Sequence, residues 1–139
     1  MINKYVFEVL DEIASAKKKE DKVKILKKNA NWALRDIIRG SMDKNVLWNL
    51  PEGSPPYKES EPHNHPSELQ RDYKQFGWFV KGGKGDKLPA FKRERIFIGL
   101  LEGVHPGDAK LVINMINKKA PKGLTRPIVE EAFPGLLKD

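Results

Sequence analysis

The residues best suited to binding chemistry cluster in the segment 117–137, NKKAPKGLTRPIVEEAFPGLL, which combines lysines, a glycine turn and a short helix. The candidate phosphate-binding residues in this segment are Lys118, Lys119, Lys122, Gly123, Thr125 and Arg126. Unpaired amides at a helix start, a hydroxyl at the cap and an adjacent arginine together suit a phosphate group. The same pattern is equally typical of simple capping by Thr125 beside solvated lysines. The residues alone leave both interpretations open.

Positive charge elsewhere in the chain extends this candidate set. The net charge of +7 divides into +4 for residues 1–50, zero for residues 51–91 and +3 for residues 92–139. Such an excess of lysine and arginine suits an acidic polymer or surface, although many basic proteins bind neither. The further candidate residues for binding such a polymer are Arg35, Arg39, Lys81, Lys84, Lys92 and Arg93.

Aromatic and basic residues alternate in the segment 73–84, YKQFGWFVKGGK. Single-stranded nucleic acids bind such platforms because their bases stack on the aromatic rings. A segment without regular structure also uses aromatic side chains to anchor itself to the core. We predict anchoring for residues 73–79 and keep a single-stranded nucleic acid platform as the alternative.

Two short motifs resemble catalytic ones only superficially. The run His63-Asn64-His65 lies in a proline-rich loop, and only His105 is present elsewhere, so the ligands of a catalytic metal are missing. The run KGGKGDK at residues 81–87 lacks the lysine and hydroxyl that complete a phosphate loop of NTPases. The sequence therefore predicts a protein without a metal, a cofactor or an enzymatic activity.

Helices are expected to position these residues, because apolar side chains recur at helical spacing over most of the chain. The predicted helices cover residues 3–15, 17–29, 30–40, 68–76, 89–103, 105–119 and 126–132. The pattern predicts that Trp32 is buried with its aliphatic neighbours and that Gly40 ends the third helix. Ser67 and Thr125 are expected N-caps, and Lys118 and Lys119 are expected in the last turn of the sixth helix.

Two loops interrupt the helices in the middle of the chain. Residues 51–66 contain five of the ten prolines, which indicates an extended loop. Residues 76–88 combine three close glycines with aromatic and basic residues, which indicates a flexible turn or a short hairpin. The sequence thus predicts an all-α, single compact multi-helix domain over residues 1–139.

Length and composition favour one soluble domain. A chain of 139 residues suits one core, and hydrophobic and charged shares of 39% and 32% are usual for globular proteins. The absence of cysteine fits a reducing compartment, so we expect a cytoplasmic protein. The N-terminus has the acidic residues of an amphipathic helix and not the pattern of a signal peptide. No apolar run approaches the length of about 18 residues that would predict a membrane span.

A family resemblance is carried by FEVLDEIASAKKKEDKVKILKKNANWALRDIIRGSMD at residues 7–43 and by LVINMINKKAPKGLTRPIVEEAFPGLL at residues 111–137. The positions that fit the family pattern are residues 12–15, 28–29, 123–126 and 133–137. These motifs occur in the same order as in a known family. Residues 3–48 and 92–137 resemble the two ends of the N-terminal DNA-binding domain of T-even-phage-type ATP-dependent DNA ligases. The chain also resembles small proteins of T-even-like marine phages.

The ligase resemblance implies an all-helical domain that grips duplex DNA through its phosphates, largely across the minor groove. Residues 51–88 have no counterpart in that family, and Pro121-Lys122 replaces the acidic-and-cysteine pair expected before the glycine turn. The chain also lacks the Lys-x-Asp-Gly motif whose lysine carries the adenylate in ligases. We therefore expect a protein that does not ligate DNA.

These observations together predict non-catalytic, sequence-independent binding of duplex DNA through basic helix termini. A phosphate-binding corner at Lys119, Lys122 and Arg126 is its central element. The resemblance implies an accessory protein of phage DNA metabolism in the cytoplasm of an infected bacterial host, with a phage or host protein as a further partner and no membrane. The alternative is a protein-interaction adaptor or structural phage protein with solvated basic faces, whose proline-rich loop or residues 76–83 dock a partner.

Overall fold

Seven α-helices, formed by the amphipathic stretches of the sequence, are present in residues 4–138, the part of the chain that the computed structural model describes. In chain order they are α1 Val6–Ser15, α2 Lys19–Lys28, α3 Trp32–Met42, α4 Leu69–Asp72, α5 Ala90–Gly103, α6 Pro106–Ile116 and α7 Arg126–Ala132. A 3₁₀ helix at Tyr73–Trp78 follows α4. The predicted mostly helical, single compact domain is confirmed, and residues 4–138 contain no sheet.

One apolar core holds the helices together. α6 packs against α1, α3 and α5, while α2 packs against α1 and α7. Full burial of an aliphatic or aromatic side chain contributes about 1.5–3 kcal/mol relative to exposure. Among the fully buried side chains are Ile13, Leu26, Leu34, Ile38, Phe79, Leu101, Val112 and Val129.

The third helix differs from its prediction at two positions. The sequence predicts a buried Trp32, but this side chain is 61% exposed. It lies about 200° around the helix axis from the buried Leu34, on the opposite face of α3. Gly40 does not end α3, which continues past it. A Cβ on Gly40 would lie 2.5 Å from Trp48 and 2.7 Å from the Sδ of Met115, so this glycine permits a close approach inside the helix.

The proline-rich loop is tied to the end of α5. The amide of Lys58 donates to the Glu102 carboxylate at 2.8 Å, and the Ser60 hydroxyl donates to the Val104 carbonyl at 2.5 Å. The predicted N-cap at Ser67 is wrong, because α4 begins after Glu68. The Ser67 hydroxyl instead donates to the carboxylate of Asp72.

The segment 76–88 is anchored through its aromatic residues. Phe76 and Phe79 are buried in the core, which confirms the anchoring prediction. In place of a hairpin the segment has turns and one isolated antiparallel bridge between Trp48 and Val80. No helix in residues 4–138 combines the length and apolar character that crossing a membrane requires.

Candidate nucleic-acid interface

The turn that leads into α7 is built around Gly123. The amide of Leu124 donates to the Pro121 carbonyl at 3.2 Å, and Gly123 has a φ of 84° at the third position of this turn. That left-handed conformation favours glycine. A Cβ on Gly123 would lie 3.0 Å from the Cα of Ala14, so the turn packs closely on the end of α1. Lys122, at the second turn position, is exposed.

Lys22 links this turn to α2. Its Nζ donates to the carbonyl of Gly123 at 2.9 Å, although the two residues are 101 positions apart in the chain. α2 also packs along α7, where the Nζ of Lys19 lies 3.5 Å from a carboxylate oxygen of Glu131. The lysine-rich α2 therefore lies beside the turn.

Residues 17–28 concentrate positive charge on this side of the molecule. They contain seven lysines and two acids, a net charge of +5, against +7 for the whole chain. Val23 and Leu26 of α2 face the core. Because Lys24, Lys27 and Lys28 lie at other positions around the helix, their side chains extend into solvent. We call five exposed lysines of α2 and of the segment that leads into α7 the α2–turn surface: Lys24, Lys27, Lys28, Lys119 and Lys122. Lys19 is also exposed on α2 but is left out, because it lies beside Glu131.

The α2 lysines are functional candidates that sequence reasoning missed. Their signal is the lysine run itself, which indicates a helix but does not show what the helix packs against. The structure supplies this second fact, because Lys22 and the α2–α7 packing place α2 next to the turn that carries Lys122.

The start of α7 offers fewer anion-binding groups than the sequence predicts. Thr125 occupies the N-cap position, but its side chain makes no capping hydrogen bond, so the predicted hydroxyl cap is wrong. Pro127 lies in the first turn and has no N–H to donate. α7 is also only seven residues long. Arg126 is half-buried at this helix start.

The sixth helix ends earlier than predicted, at Ile116, and Lys118 lies beyond its last turn. Lys118 has a φ of 56°, in the left-handed region. Its amide donates to the Met115 carbonyl at 3.0 Å, and the amide of Lys119 donates to the Asn114 carbonyl at 2.9 Å. This pair of bonds is a Schellman motif, in which glycine usually occupies the left-handed position.

The ammonium group of Lys118 is engaged by the protein's own backbone. Its Nζ donates to three carbonyls at the C-terminal end of α3 and in the turn that follows, at 2.8, 2.7 and 2.9 Å. These acceptors belong to Gly40, Asp43 and Val46. A cation suits the negative end of a helix dipole, and three acceptors match its three donors. Lys118 thus joins the ends of α6 and α3, and we leave it out of the α2–turn surface.

Arg93 also binds the protein's own backbone. It is only 8% exposed, and its guanidinium donates to the carbonyls of Asn49, Leu88 and Gly85 at 2.7, 3.0 and 3.2 Å. Three other predicted DNA-binding residues, Lys81, Lys84 and Lys92, are exposed around the same loop. The Nζ of Lys84 lies 4.5 Å from the ring centroid of Trp78. The backbone contacts of Arg93 and the Lys84–Trp78 contact thus lie within residues 49–93.

Arg35 and Arg39 share the outward face of α3 with Trp32, at i, i+3 and i+7 spacing. The guanidinium carbon of Arg35 lies 4.9 Å from the Trp32 ring centroid and 5.1 Å from that of Phe133, at the end of α7. Arg39 borders a cleft of about 210 Å³ with Asp36. Burial raises the pKa of Asp36, although Arg39 opposes this shift.

A cluster of aromatic rings lies at the other end of α1. The Tyr5 hydroxyl and the Nε2 of His65 are 2.8 Å apart, and the Nδ1 of His65 is 2.7 Å from the Ser67 carbonyl. Because a carbonyl only accepts, Nδ1 carries the proton and Nε2 of a neutral ring accepts from Tyr5. The Nδ1 of His105 accepts from the Gly107 amide at 2.9 Å. Burial lowers the pKa of His105, and His65 lowers it further.

No group of three or more histidine, aspartate or glutamate side chains in residues 4–138 is arranged to hold a metal ion. His65 makes hydrogen bonds within the fold, and His63 is exposed in the proline-rich loop. The ring cluster therefore closes the N-terminal end of the core, and we assign it a structural role.

A comparison with curated proteins found no match. A protein-family model described as "Family of unknown function (DUF6433)" matches residues 9–122. The matched range contains most of the chain, including every lysine of the α2–turn surface. The chain therefore belongs to the DUF6433 family.

Proposed function

We propose that this protein binds duplex DNA without reading its sequence and without catalysing a reaction on it. The observation that carries the proposal is the 2.9 Å hydrogen bond between Lys22 and Gly123, which places the lysine-rich α2 beside the turn that carries Lys122. Closely spaced lysines attract the regular phosphates of a duplex, and the release of counterions favours the complex. Contacts to phosphate carry no information on base identity, so such a surface binds all duplexes alike.

The resemblance of both chain ends to the DNA-binding domain of T-even-phage-type ligases supports the same proposal. It includes the Gly123 turn and the lysine-rich second helix, the two segments that form the α2–turn surface. By the same resemblance, we propose an accessory role in phage DNA metabolism, in which the protein holds DNA for other proteins to act on.

Fluorescence anisotropy with two labelled duplexes of unrelated sequence tests the proposal. We expect equal affinities for both duplexes and a linear fall of log affinity with log salt concentration. If all five lysines of the α2–turn surface contact phosphates, the slope is about −4.5, since each contact contributes about −0.9. Absence of binding at low salt, or a strong preference for one sequence, would contradict the proposal.

A protein-interaction adaptor is the second candidate function. It is favoured by a mostly apolar cavity of about 240 Å³ between the proline-rich loop and α5. Its lining includes Leu50, Pro51, Pro55, Pro56, Glu94 and Phe97. In an adaptor the α2–turn surface is only solvated, so the salt titration described above would detect no complex with DNA.

A further inference from the structure

We propose that Trp32 stacks on an unpaired base of the bound DNA, so that the protein prefers a duplex with a single-stranded overhang to a blunt duplex. This inference rests on the proposed DNA binding and specifies which DNA structure is selected. Trp32 is 61% exposed at the start of α3, whereas in the aromatic segment Phe76 and Phe79 are buried and Tyr73 and Trp78 are half-buried. The exposed indole is therefore a better stacking platform than the segment at residues 73–79.

Arg35 and Phe133 hold the indole of Trp32 in place. The guanidinium of Arg35 contacts both rings, with its carbon 4.9 Å from the centroid of Trp32 and 5.1 Å from that of Phe133. Phe133 is itself buried, so this stack is fixed to the core. A base that stacks on Trp32 thus meets a restrained ring next to a cation, the combination that single-stranded nucleic acids bind.

Charge favours a DNA strand over an apolar protein segment as the occupant. Trp32 follows Lys28 by four residues, a stretch of chain that spans at most about 14 Å. Lys27 and Lys28 belong to the α2–turn surface, and Arg39 shares the outward face of α3 with Trp32. A strand whose phosphates contact these lysines can therefore present its next unpaired base to the indole.

The test compares a blunt labelled duplex with the same duplex extended by an oligothymidine overhang, at one salt concentration. We expect wild-type protein to bind the overhang duplex roughly tenfold more tightly, since one stacked base has this effect on affinity. Trp32→Ala should abolish the preference and leave the affinity for the blunt duplex unchanged. Trp32→Phe, which keeps an aromatic ring, should retain most of the preference.

Phe91→Ala is the matched control, because Phe91 is a comparable aromatic residue, 60% exposed near the start of α5. It should leave the preference for the overhang intact. Arg35→Lys keeps the charge but removes the planar group, so it should weaken the preference without changing the salt dependence of blunt-duplex binding. The overhang should also quench tryptophan fluorescence, and Trp32→Phe should remove most of that change.

The outcomes separate this inference from the proposed function. If the wild type binds both duplexes equally, or if the preference survives Trp32→Ala, stacking by Trp32 is wrong while duplex binding stands. If Phe91→Ala removes the preference as fully as Trp32→Ala does, the assignment to Trp32 is also wrong. If the protein binds neither duplex at low salt, both proposals fail.

Discussion

The carboxylate of Asp108 accepts a hydrogen bond from the amide of Phe7 at 2.9 Å and so joins the start of α6 to the start of α1. Asp108 is fully buried. Its second oxygen, Oδ2, meets no hydrogen-bond donor in the described part of the chain. Burial raises the pKa of Asp108 to about 6, although the Phe7 amide opposes this shift. Glu8 raises the pKa further, and His65 lowers it.

We expect Asp108→Asn to stabilise the protein at neutral pH but not in acid. The carboxyl has a pKa of about 6 in the folded protein and an ordinary value of 3.8, so its ionisation favours the unfolded state. The free energy of unfolding of the wild type, relative to the variant, is highest below pH 3.8 and falls as the pH rises through 6. The fall amounts to about 3 kcal/mol at most. Urea unfolding of both proteins on either side of this pH window measures it.

Asp11→Asn is the control for this experiment, because Asp11 is an exposed carboxylate on α1. His105 makes the comparison between variants necessary. Its pKa is lowered by burial, so the stability that it contributes is lost as the pH falls below the ordinary value of 6.5, opposite to the trend for Asp108. A difference between Asp108→Asn and wild type that does not vary with pH would contradict the expectation.

Replacement of Lys118 should affect folding and not DNA binding. Lys118→Ala removes three charge-assisted hydrogen bonds and keeps a side chain at a φ of 56°, so we expect a loss of about 2–4 kcal/mol in unfolding free energy. Lys118→Gly should be less destabilising by about 1 kcal/mol, because glycine adopts this φ without strain. The salt slope of duplex binding should not change in either variant. A stable Lys118→Ala protein with a flattened slope would instead make Lys118 a DNA contact.

In contrast to Lys118, replacement of Lys119 or Lys122 by Gln should affect DNA binding and not folding. Both side chains are exposed, so their loss should leave the unfolding free energy unchanged. Each substitution should flatten the dependence of log affinity on log salt by about 0.9, and do so equally for unrelated sequences. Lys110→Gln is the control, since Lys110 is an exposed lysine of α6 outside the α2–turn surface. Wild-type slopes in both turn variants would place the DNA contacts elsewhere.

Substitution of two glycines with nearly the same φ distinguishes the cost of backbone strain from the cost of overpacking. Gly53 has a φ of 86° with nothing within 4 Å of an added Cβ, while Gly123 has a φ of 84° and Ala14 at 3.0 Å. Gly53→Ala should therefore cost about 1–2 kcal/mol for the left-handed backbone alone. Gly123→Ala adds overpacking against α1 and should cost about 1–3 kcal/mol more. Equal unfolding free energies for the two variants would show that the turn is not tightly packed on α1.

Gly40 and Gly99 form a second pair, both inside helices. An added Cβ would meet Trp48 and Met115 at Gly40, but nothing within 4 Å at Gly99. We expect Gly40→Ala to lower the melting temperature through overpacking of about 1–3 kcal/mol. Gly99→Ala should raise it, because alanine is favoured over glycine in a helix by about 0.5–1 kcal/mol. A stabilising Gly40→Ala would mean that the close approach to Trp48 is not required.

The sequence predicts the helices well where local signals act alone. α7 spans Arg126–Ala132 as predicted, because neighbouring residues set its limits: Pro127 favours a helix start in the first turn, and Pro134-Gly135 follow its end. α5 likewise ends at Gly103 as predicted. The position of Ser67 misled the prediction because its hydroxyl has a competing local partner in Asp72.

The candidate site was less predictable. Contacts between distant segments decide which basic side chains bind the protein's own backbone and which remain exposed. Lys118 and Lys119 are neighbours in the same lysine cluster, yet the Lys118 ammonium lies on the end of α3, 78 residues away at Gly40. The same applies to Arg93, whose acceptors include Asn49, 44 residues away. Helical periodicity shows which face of a helix is polar. It does not show which distant residues provide backbone carbonyls for the basic side chains on that face.

The two hydrogen bonds that span 101 residues, from Phe7 to Asp108 and from Lys22 to Gly123, bear on how the chain folds. Helical proteins usually fold fast because their contacts are local, and closure of long loops slows folding. Here α1 and α2 finish their packing only against the last third of the chain. During synthesis they would keep apolar surface exposed until α6 and α7 have left the ribosome, so the N-terminal half depends on late closure of the chain.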